Sequence, residues 1–182
     1  MSWPRWEKSR KIGAVADIAR SIKAQPLTAE AWTPFGWIPV TDTDPTDGAQ
    51  RLTFEWNDVH LNVISHTPQE IEHTGQGLLC DSMFRHDTHT QALLTLDVPS
   101  VIAVAPAHVD FADPGAVETV RAFLLRPLDY FVLHRGTWHW GPFPLGDRPV
   151  TLYNVQGLRY AEDNAKVDLA GRSLAVEVLA AP

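Results

Sequence analysis

The stretch 91–105, QALLTLDVPSVIAVA, decides the fold class of this chain. Two short runs rich in Leu, Val and Ile, residues 91–96 and 100–105, lie on either side of Asp97-Val98-Pro99. Asp and Pro favour turns, and apolar runs of this length bounded by turn residues are typical of β-strands. The stretch therefore predicts two strands joined by a tight connection.

The same sequence pattern continues over most of the chain beyond Trp37. Short apolar runs alternate with clusters of Pro, Gly and Asp, as in β-sandwiches and barrels. The predicted strands are residues 51–56, 60–65, 91–96, 100–105, 120–125, 130–133, 138–140 and 150–156. The predicted turns are residues 44–48, 97–99, 113–115 and 141–148. Since no repeat or linker divides these elements, we expect one mainly β domain over residues 26–182.

The N-terminal segment has a different pattern. Between residues 8 and 23, Ile12, Val15, Ile18 and Ile22 recur at spacings of three and four, which predicts an amphipathic helix. We expect residues 1–25 to form a helical arm on the domain or on a second subunit. A targeting or membrane-surface role is the alternative.

A second, shorter helix is predicted next in the chain. Thr28 is suited to its N-cap, and the helix would run through Trp32. Gly36 is suited to the left-handed position that ends a helix.

Composition restricts the classes of partner. The 182-residue chain has a formal charge of −7 and a pI near 5.5, which disfavours nucleic acid and anionic membranes. Its longest charge-free run of interest, residues 98–109, contains two prolines and a histidine and predicts no membrane span. Cys80 is the single cysteine, so no internal disulfide forms and we expect a cytoplasmic protein. A small-molecule substrate is therefore favoured.

Histidine is the most informative residue type in the chain. Of eight histidines, four lie in the segments 85–91, RHDTHTQ, and 134–139, HRGTWH. The first segment leads into a predicted strand, and Gly136 allows a tight turn between two others. Because small β-barrels bind ligands in their mouths, these segments predict a site inside a barrel. His60, His66, His73 and His108 are interpreted as structural or surface residues.

The two segments have the form of the two cupin motifs, and the chain resembles the ureidoglycolate lyase family of cupins. The segments that carry the resemblance are PLTAEAWTPFG at 26–36, Arg85-His86, Thr90-Gln91-Ala92, Arg121-Ala122-Phe123 and His134 to His139. The resemblance implies a cupin double-stranded β-helix, an antiparallel barrel or jelly roll. It also implies a homodimeric lyase of purine catabolism that cleaves ureidoglycolate into glyoxylate and urea.

Metal-ligating residues are predicted from both segments. His139 ends the second motif and would point inward, with Trp138 and Trp140 on the opposite face by strand alternation. His86 and Gln91 would approach from the facing strand, joined by His89. Three histidines and an amide would suit a divalent metal ion. Because Gln91 is uncharged, metal-free catalysis is the alternative.

The remaining site predictions concern proton transfer and substrate binding. His139, His134 and Arg121 are the candidate catalytic residues. Arg121 would either clamp a substrate carboxylate through its bidentate guanidinium or form an internal ion pair. Arg135, Phe84 and Trp138 are the other candidate substrate-binding residues.

Phe84 also keeps other functions open, because an acidic residue is expected there from the resemblance. An aromatic side chain at this position would suit a larger or less polar substrate than ureidoglycolate. The alternatives are a metal-dependent cupin of another class, such as a dioxygenase or isomerase, and a non-catalytic cupin that binds a small molecule.

Overall fold

Two β-sheets make up most of the computed structural model, which describes residues 18–41, 50–75, 77–169 and 171–177. The larger sheet has nine strands in the order β13-β6-β11-β8-β9-β1-β14-β5-β4, and the smaller has five in the order β2-β10-β7-β12-β3. The strands of the larger sheet are β1 (Ile18–Pro26), β4 (His73–Thr74), β5 (Gly77–Cys80), β6 (Ser82–Arg85), β8 (Ser100–Ala105), β9 (Arg121–Leu125), β11 (Trp138–Pro144), β13 (Ala165–Asp168) and β14 (Ser173–Glu177). Those of the smaller sheet are β2 (Gly36–Trp37), β3 (Val59–His66), β7 (Gln91–Thr95), β10 (Tyr130–Leu133) and β12 (Val150–Gly157). The prediction of a mainly β chain is confirmed.

The two sheets pack face to face on a shared apolar core. Alternate residues of β12, such as Val150 and Leu152, point into this core, together with Phe123 of β9 and Phe131 of β10. Trp32 lies among them without solvent exposure, and its Nε1 donates to the Val132 carbonyl at 2.9 Å. A second apolar cluster, which includes Trp138 and Trp140, covers the other side of the larger sheet. Strand alternation thus separates an interior face from an outer face, as predicted for Trp138 and His139.

Most of the predicted strands are present, and several boundaries differ. The strand predicted over 138–140 continues to Pro144, and the turn predicted over 113–115 opens a 3-10 helix, Pro114–Thr119. The strand predicted over 51–56 is wrong, because only Phe54 forms an isolated bridge, with His89. The turn predicted over 44–48 lies outside the described residues.

The helix predicted over residues 8–23 is wrong from Ile18 onward. Residues 8–17 lie outside the described residues, and Ile18–Pro26 form strand β1. This strand pairs in parallel with β14 and with β9. A spacing of four residues fits one face of a strand as well as one face of a helix, so Ile18 and Ile22 fit both patterns. Pairing with strands on both sides then selects the extended form.

The short helix α1 (Ala29–Trp32) is present where it was predicted. The Thr28 side chain accepts a hydrogen bond from the Ala31 backbone N–H at 3.3 Å, as expected of an N-cap. The prediction that Gly36 ends this helix in a left-handed conformation is wrong, since Gly36 lies in β2. A side chain there would meet the Val132 carbonyl oxygen at 1.7 Å, so close strand approach explains the glycine. None of the helices in the described ranges has the length and apolar character needed to cross a membrane.

Candidate active site

Three buried histidines meet between the sheets and form what we call the histidine cluster. His86 follows β6, His89 lies two residues before β7, and His139 is the second residue of β11. The ring centroids of His86 and His89 are 4.7 Å apart, and those of His86 and His139 are 5.4 Å apart. Each side chain is at most 9% exposed. Two segments more than forty residues apart in sequence are thus joined at one point, as the sequence predicted.

The surroundings of the cluster orient each imidazole. Nδ1 of His139 lies 3.2 Å from the Thr137 carbonyl oxygen, and Nδ1 of His86 lies 2.5 Å from that of Asp163. Nδ1 of His89 lies 3.3 Å from a carboxylate oxygen of Asp163. The Thr88 hydroxyl also lies 3.3 Å from His89 Nδ1, but it donates its hydrogen to Asp163. Because the carbonyl and carboxylate oxygens only accept hydrogen bonds, each Nδ1 donates and each Nε2 keeps its lone pair. The Nε2 atom of His89 is buried and has no hydrogen-bond partner among the described residues.

Asp163 is a site residue that the sequence did not reveal. Its carboxylate accepts hydrogen bonds from the backbone N–H of Asp87 at 2.9 Å and of Thr88 at 2.7 Å, and from the Thr88 hydroxyl. It lies in the loop between β12 and β13, where no motif marks it. These bonds hold the loop that carries His86 and His89 and lower the pKa of Asp163, so the carboxylate is ionised at neutral pH.

Burial keeps the histidine cluster uncharged. Loss of solvation is the main cause that lowers the pKa of His139 to about 3 and of His89 to about 4, and the neighbouring His86 lowers both further. The pKa of His86 is also lowered by burial, although Asp163 opposes the effect. The cluster therefore presents neutral imidazoles at physiological pH.

We expect these lowered pKa values to make the protein less stable in acid. Between about pH 4 and 6.5 an unfolded histidine binds a proton that the folded cluster excludes, so the free energy of unfolding falls as pH falls. Each such histidine contributes up to about 1.4 kcal/mol per pH unit in this window. Urea unfolding at a series of pH values measures the slope.

Substitutions in the histidine cluster distinguish its contribution to the pH dependence of stability from that of other titrating groups. The double substitution His89→Gln and His139→Gln should flatten the slope, whereas His73→Gln, at an exposed position, should leave it unchanged. Equal slopes in the double variant and the wild type would contradict the assignment.

Gln91 is buried, follows His89 by two residues and belongs to a ladder of amides. Its Nε2 donates to Asn154 Oδ1 at 2.9 Å, and Asn154 Nδ2 donates to Asn62 Oδ1 at 2.8 Å. The Gln91 Oε1 atom is buried without a partner in the described part of the chain. A buried, uncharged ladder of amides with an acceptor that lacks a partner among the described residues thus begins two residues after His89.

Gly157 provides the space that His89 occupies. A Cβ atom on Gly157 would lie 2.8 Å from His89 Nδ1, closer than real Cβ contacts. We expect Gly157→Ala to displace the imidazole and to reduce turnover about tenfold, in line with other losses of ligand positioning. Gly146→Ala is the matched control, since nothing lies within 4 Å of its Cβ position. Steady-state kinetics on both variants measure the effect, and equal activities would show that the space is not needed.

Phe84 faces the same interior as His139. The two residues pair across β6 and β11, and Lys166 of β13 pairs with Phe84 from the other side. Residues directly opposite in an antiparallel ladder point to the same face of the sheet. The Lys166 ammonium lies 5.6 Å from the centre of the Phe84 ring. An aromatic ring and, next to it, an exposed cation therefore lie on the face of the sheet that carries His139.

Among the predicted arginines, only Arg135 has a described electrostatic effect on the cluster. Its Nε donates to the Asp87 carbonyl at 2.8 Å, and its guanidinium pairs with Glu55 at 3.1 Å. Its charge also lowers the pKa of His89. Arg121 is exposed and donates instead to the carbonyls of Glu118 and Val120, so neither of the roles predicted for it is observed.

His134 and Trp138 also lie away from the cluster. His134 is exposed and packs on Trp37, with ring centroids 5.4 Å apart. Trp138 lies on the opposite face of the sheet from His139, where its Nε1 donates to the Val109 carbonyl at 3.0 Å and its ring contacts the Arg85 guanidinium. The structure thus leaves His139, Arg135 and Phe84 as the predicted catalytic and substrate-binding residues that border the interior site.

The cluster has donors that suit a divalent metal ion. His86, His89 and Asp163 offer ligand atoms that all lie within 4.8 Å of one another. Fixed Nδ1 atoms, free Nε2 atoms and a nearby carboxylate are the usual surroundings of metal-binding histidines. The predicted set of His86, His89, Gln91 and His139 shares two members with this group.

Two facing β-sheets, with both histidine-containing segments meeting at one interior site, define the class of protein, a cupin. The chain belongs to the ureidoglycolate lyase family, whose model matches residues 19–177. No curated protein sequence matches the chain significantly.

Solved structures to which the chain is similar include oxalate decarboxylase from Bacillus subtilis, in a study of its Mn(II) centres. It has 13% identity and a TM-score of 0.39, over 65% of this chain and 27% of that chain. Another is a dTDP sugar isomerase from Desulfovibrio desulfuricans G20, with 12% identity and a TM-score of 0.42, over 71% of this chain and 78% of that chain. The similar region thus spans about a quarter of the decarboxylase.

Proposed function

We propose that the protein is a carbon–nitrogen lyase that cleaves ureidoglycolate into glyoxylate and urea. The observation that carries the proposal is the histidine cluster, in which each Nδ1 lies against an acceptor oxygen and each Nε2 therefore carries the lone pair. Family membership supports this reaction class. As in the family reaction, we place the enzyme in purine breakdown in the cytoplasm.

The reaction needs one proton to move from oxygen to nitrogen. In the proposed step, Nε2 of His139 accepts the proton of the carbinol hydroxyl, and the oxygen electrons form the new carbonyl. The electron pair of the breaking C–N bond stays on the urea nitrogen, which takes the proton. No oxidant or reductant is required, because glyoxylate and urea together contain all the atoms and electrons of ureidoglycolate.

The surroundings of His139 favour this transfer. A neutral imidazole accepts a proton only while its Nε2 lone pair is free, and burial keeps the cluster in that state. The substrate carboxylate would bind near the Arg135 guanidinium, and its charge would raise the proton affinity of the adjacent imidazoles. Gln91 Oε1, which lacks a partner in the described part of the chain, would accept a ureido N–H.

His86 and His89, with Asp163 close by, would hold a divalent cation if the enzyme uses one. Such an ion would lower the pKa of the substrate hydroxyl and stabilise the developing carbonyl. The chain itself supplies the oriented imidazoles and buries them away from solvent.

The test is release of glyoxylate and urea from racemic ureidoglycolate, corrected for spontaneous decay, with and without a chelator. Equal amounts of both products above background support the lyase, and loss of release on chelation assigns a metal. No release above background, with or without added divalent ions, contradicts the proposal.

Phe84 favours a second candidate, a metal-dependent cupin of another class that acts on a larger or less polar substrate. The ring lies on the same face of the sheet as His139, so it would contact a substrate bound at the cluster. Phe84→Asp separates the two candidates. If ureidoglycolate is the substrate, the added carboxylate should raise or preserve its cleavage, whereas a site for an apolar substrate should lose affinity for that substrate.

A further inference from the structure

The two segments that carry the histidine cluster meet at a short junction between β6 and β11. Among the described residues, these strands share a single ladder pair, Phe84 with His139. Next to this pair, the backbone N–H of Gly136 donates to the His86 carbonyl at 2.7 Å. The distance between the His86 and His139 imidazoles therefore depends on few backbone contacts.

A side-chain contact crosses the same junction on the opposite face of the sheet. The guanidinium carbon of Arg85 lies 4.6 Å from the centre of the Trp138 ring. A cation within about 6 Å of a tryptophan ring centre is attracted by the negative face of the ring. Arg85 directly precedes His86, and Trp138 directly precedes His139. Because neighbouring strand residues alternate between faces, Arg85 and Trp138 lie behind the histidine cluster.

The Trp138 ring is a fixed support for this contact. Its Nε1 donates to the Val109 carbonyl at 3.0 Å, and Phe111 packs edge-on against it, with ring centroids 5.4 Å apart. The ring is also buried. A ring held in this way keeps its orientation, so the contact with Arg85 fixes the end of β6 against the start of β11.

Arg85 has a second contact, on the loop that carries His86. Its Nε lies 3.2 Å from a carboxylate oxygen of Asp87, and the Asp87 carbonyl accepts a hydrogen bond from Arg135 Nε at 2.8 Å. Half of the Asp87 side chain is exposed, and an ion pair of this kind contributes little by itself. The contact with the buried Trp138 ring is therefore the stronger of the two.

We propose that Arg85 is a positioning residue, which holds His86 and His139 at their observed spacing from the outer face of the sheet. A displacement of about 1 Å within a site can reduce the rate about 100-fold, so a contact behind the cluster affects the chemistry inside it. The effect on turnover rests on the proposed function. The effect on the spacing of the rings does not.

Proton NMR of the histidine rings tests the spacing. The nuclear Overhauser effect between the ring protons of His86 and His139 falls steeply with their distance. Arg85→Gln should reduce it about threefold, as expected if the rings move apart by about 1 Å. Arg85→Lys should give an intermediate value, because an ammonium is attracted to the ring but lacks the flat guanidinium that stacks on it.

A double-mutant cycle shows whether Arg85 acts through the ring. Trp138→Leu should reduce the same signal, and adding it to Arg85→Gln should cause little further loss, because the contact is already absent. Independent, additive losses in the two folded single variants would overturn the proposal. Circular dichroism shows which variants are folded, and Arg85→Lys serves if Arg85→Gln is not.

Arg159→Gln is the matched control. Its guanidinium carbon also lies 4.6 Å from the centre of a tryptophan ring, that of Trp56, but neither residue adjoins His86 or His139 in the sequence. The variant loses the same kind of contact and should leave the signal between the two histidine rings unchanged.

Steady-state kinetics with ureidoglycolate complete the test. Arg85→Gln should lower kcat about tenfold with little change in KM, because the residue orients the cluster without touching the substrate. An unchanged ring signal in folded Arg85→Gln would overturn the proposal, whether or not the protein cleaves ureidoglycolate. Absence of cleavage by the wild type would instead contradict the proposed function, and the ring signal would still decide the role of Arg85.

Discussion

His139→Ala is expected to reduce turnover of ureidoglycolate by about three orders of magnitude, within the range for loss of a general acid–base group. The side chain is buried, its Nδ1 is held by the Thr137 carbonyl, and its ring contacts His86. Alanine removes the Nε2 lone pair from the interior and leaves no other group at that position. Initial rates of glyoxylate release under saturating substrate measure the loss.

Two further variants define what the loss means. His73→Ala removes an exposed histidine outside the cluster and should leave the rate within twofold of the wild type, as expected of a surface change. His139→Gln fills the space without a titratable nitrogen, so it should retain the fold and remain as inactive as alanine. Activity in His139→Gln close to that of the wild type would show that the residue only fills space.

Asp163→Ala is expected to affect both stability and turnover. The substitution removes an acceptor from two backbone N–H groups and from the Thr88 hydroxyl, and it removes the carboxylate that lies 3.3 Å from His89 Nδ1. We expect unfolding to become easier by about 3 kcal/mol, because ionised acceptors contribute more than neutral ones. Turnover should fall about 100-fold as His89 loses its orientation. Urea unfolding and kinetics measure the two effects.

The conservative variant distinguishes orientation from general destabilisation. Asp163→Asn keeps one acceptor oxygen, so it should lose less stability than alanine but should still change the protonation of His89. Nitrogen NMR of the imidazole reports which ring atom carries the proton. Glu162→Ala, at the exposed neighbouring position, is the control and should change neither property. An unchanged His89 spectrum in Asp163→Asn would contradict the role assigned to the carboxylate.

The sequence predicted correctly those strands whose local apolar pattern agrees with the pairing that the fold gives them. Residues 100–105 and 130–133 form strands with the predicted bounds, since both runs are apolar and bounded by turn residues. Strands β2, β4, β5, β6, β13 and β14 were missed, and β1 was predicted as a helix. Two of them, β6 and β13, have four residues each and pair with each other across a long connection, so the local sequence gives little periodic signal.

The candidate site was predictable only in part, for a related reason. His86, His89 and His139 could be found because their motifs carry a recognisable spacing. Asp163 could not, since its role comes from a loop that the fold brings to Thr88. Arg121 was predicted as a site residue but does not reach the site. Its position on a strand shows which face of the sheet it lies on, but not where the end of so long a side chain will bind. Its guanidinium donates to the carbonyl of Glu118, in the preceding 3-10 helix, and to that of Val120.

Strand β1 has a consequence for how the chain reaches its native state. Its residues 18–23 pair with β14 and its residues 24–26 pair with β9, so it lies between strands that come much later in the sequence. During synthesis, residues 18–23 have no β14 partner until residues 173–177 have left the ribosome. Such contacts between distant parts of a chain form slowly, because a long loop must close first. The central seam of the larger sheet is therefore completed late, and until then the growing chain exposes an open strand edge.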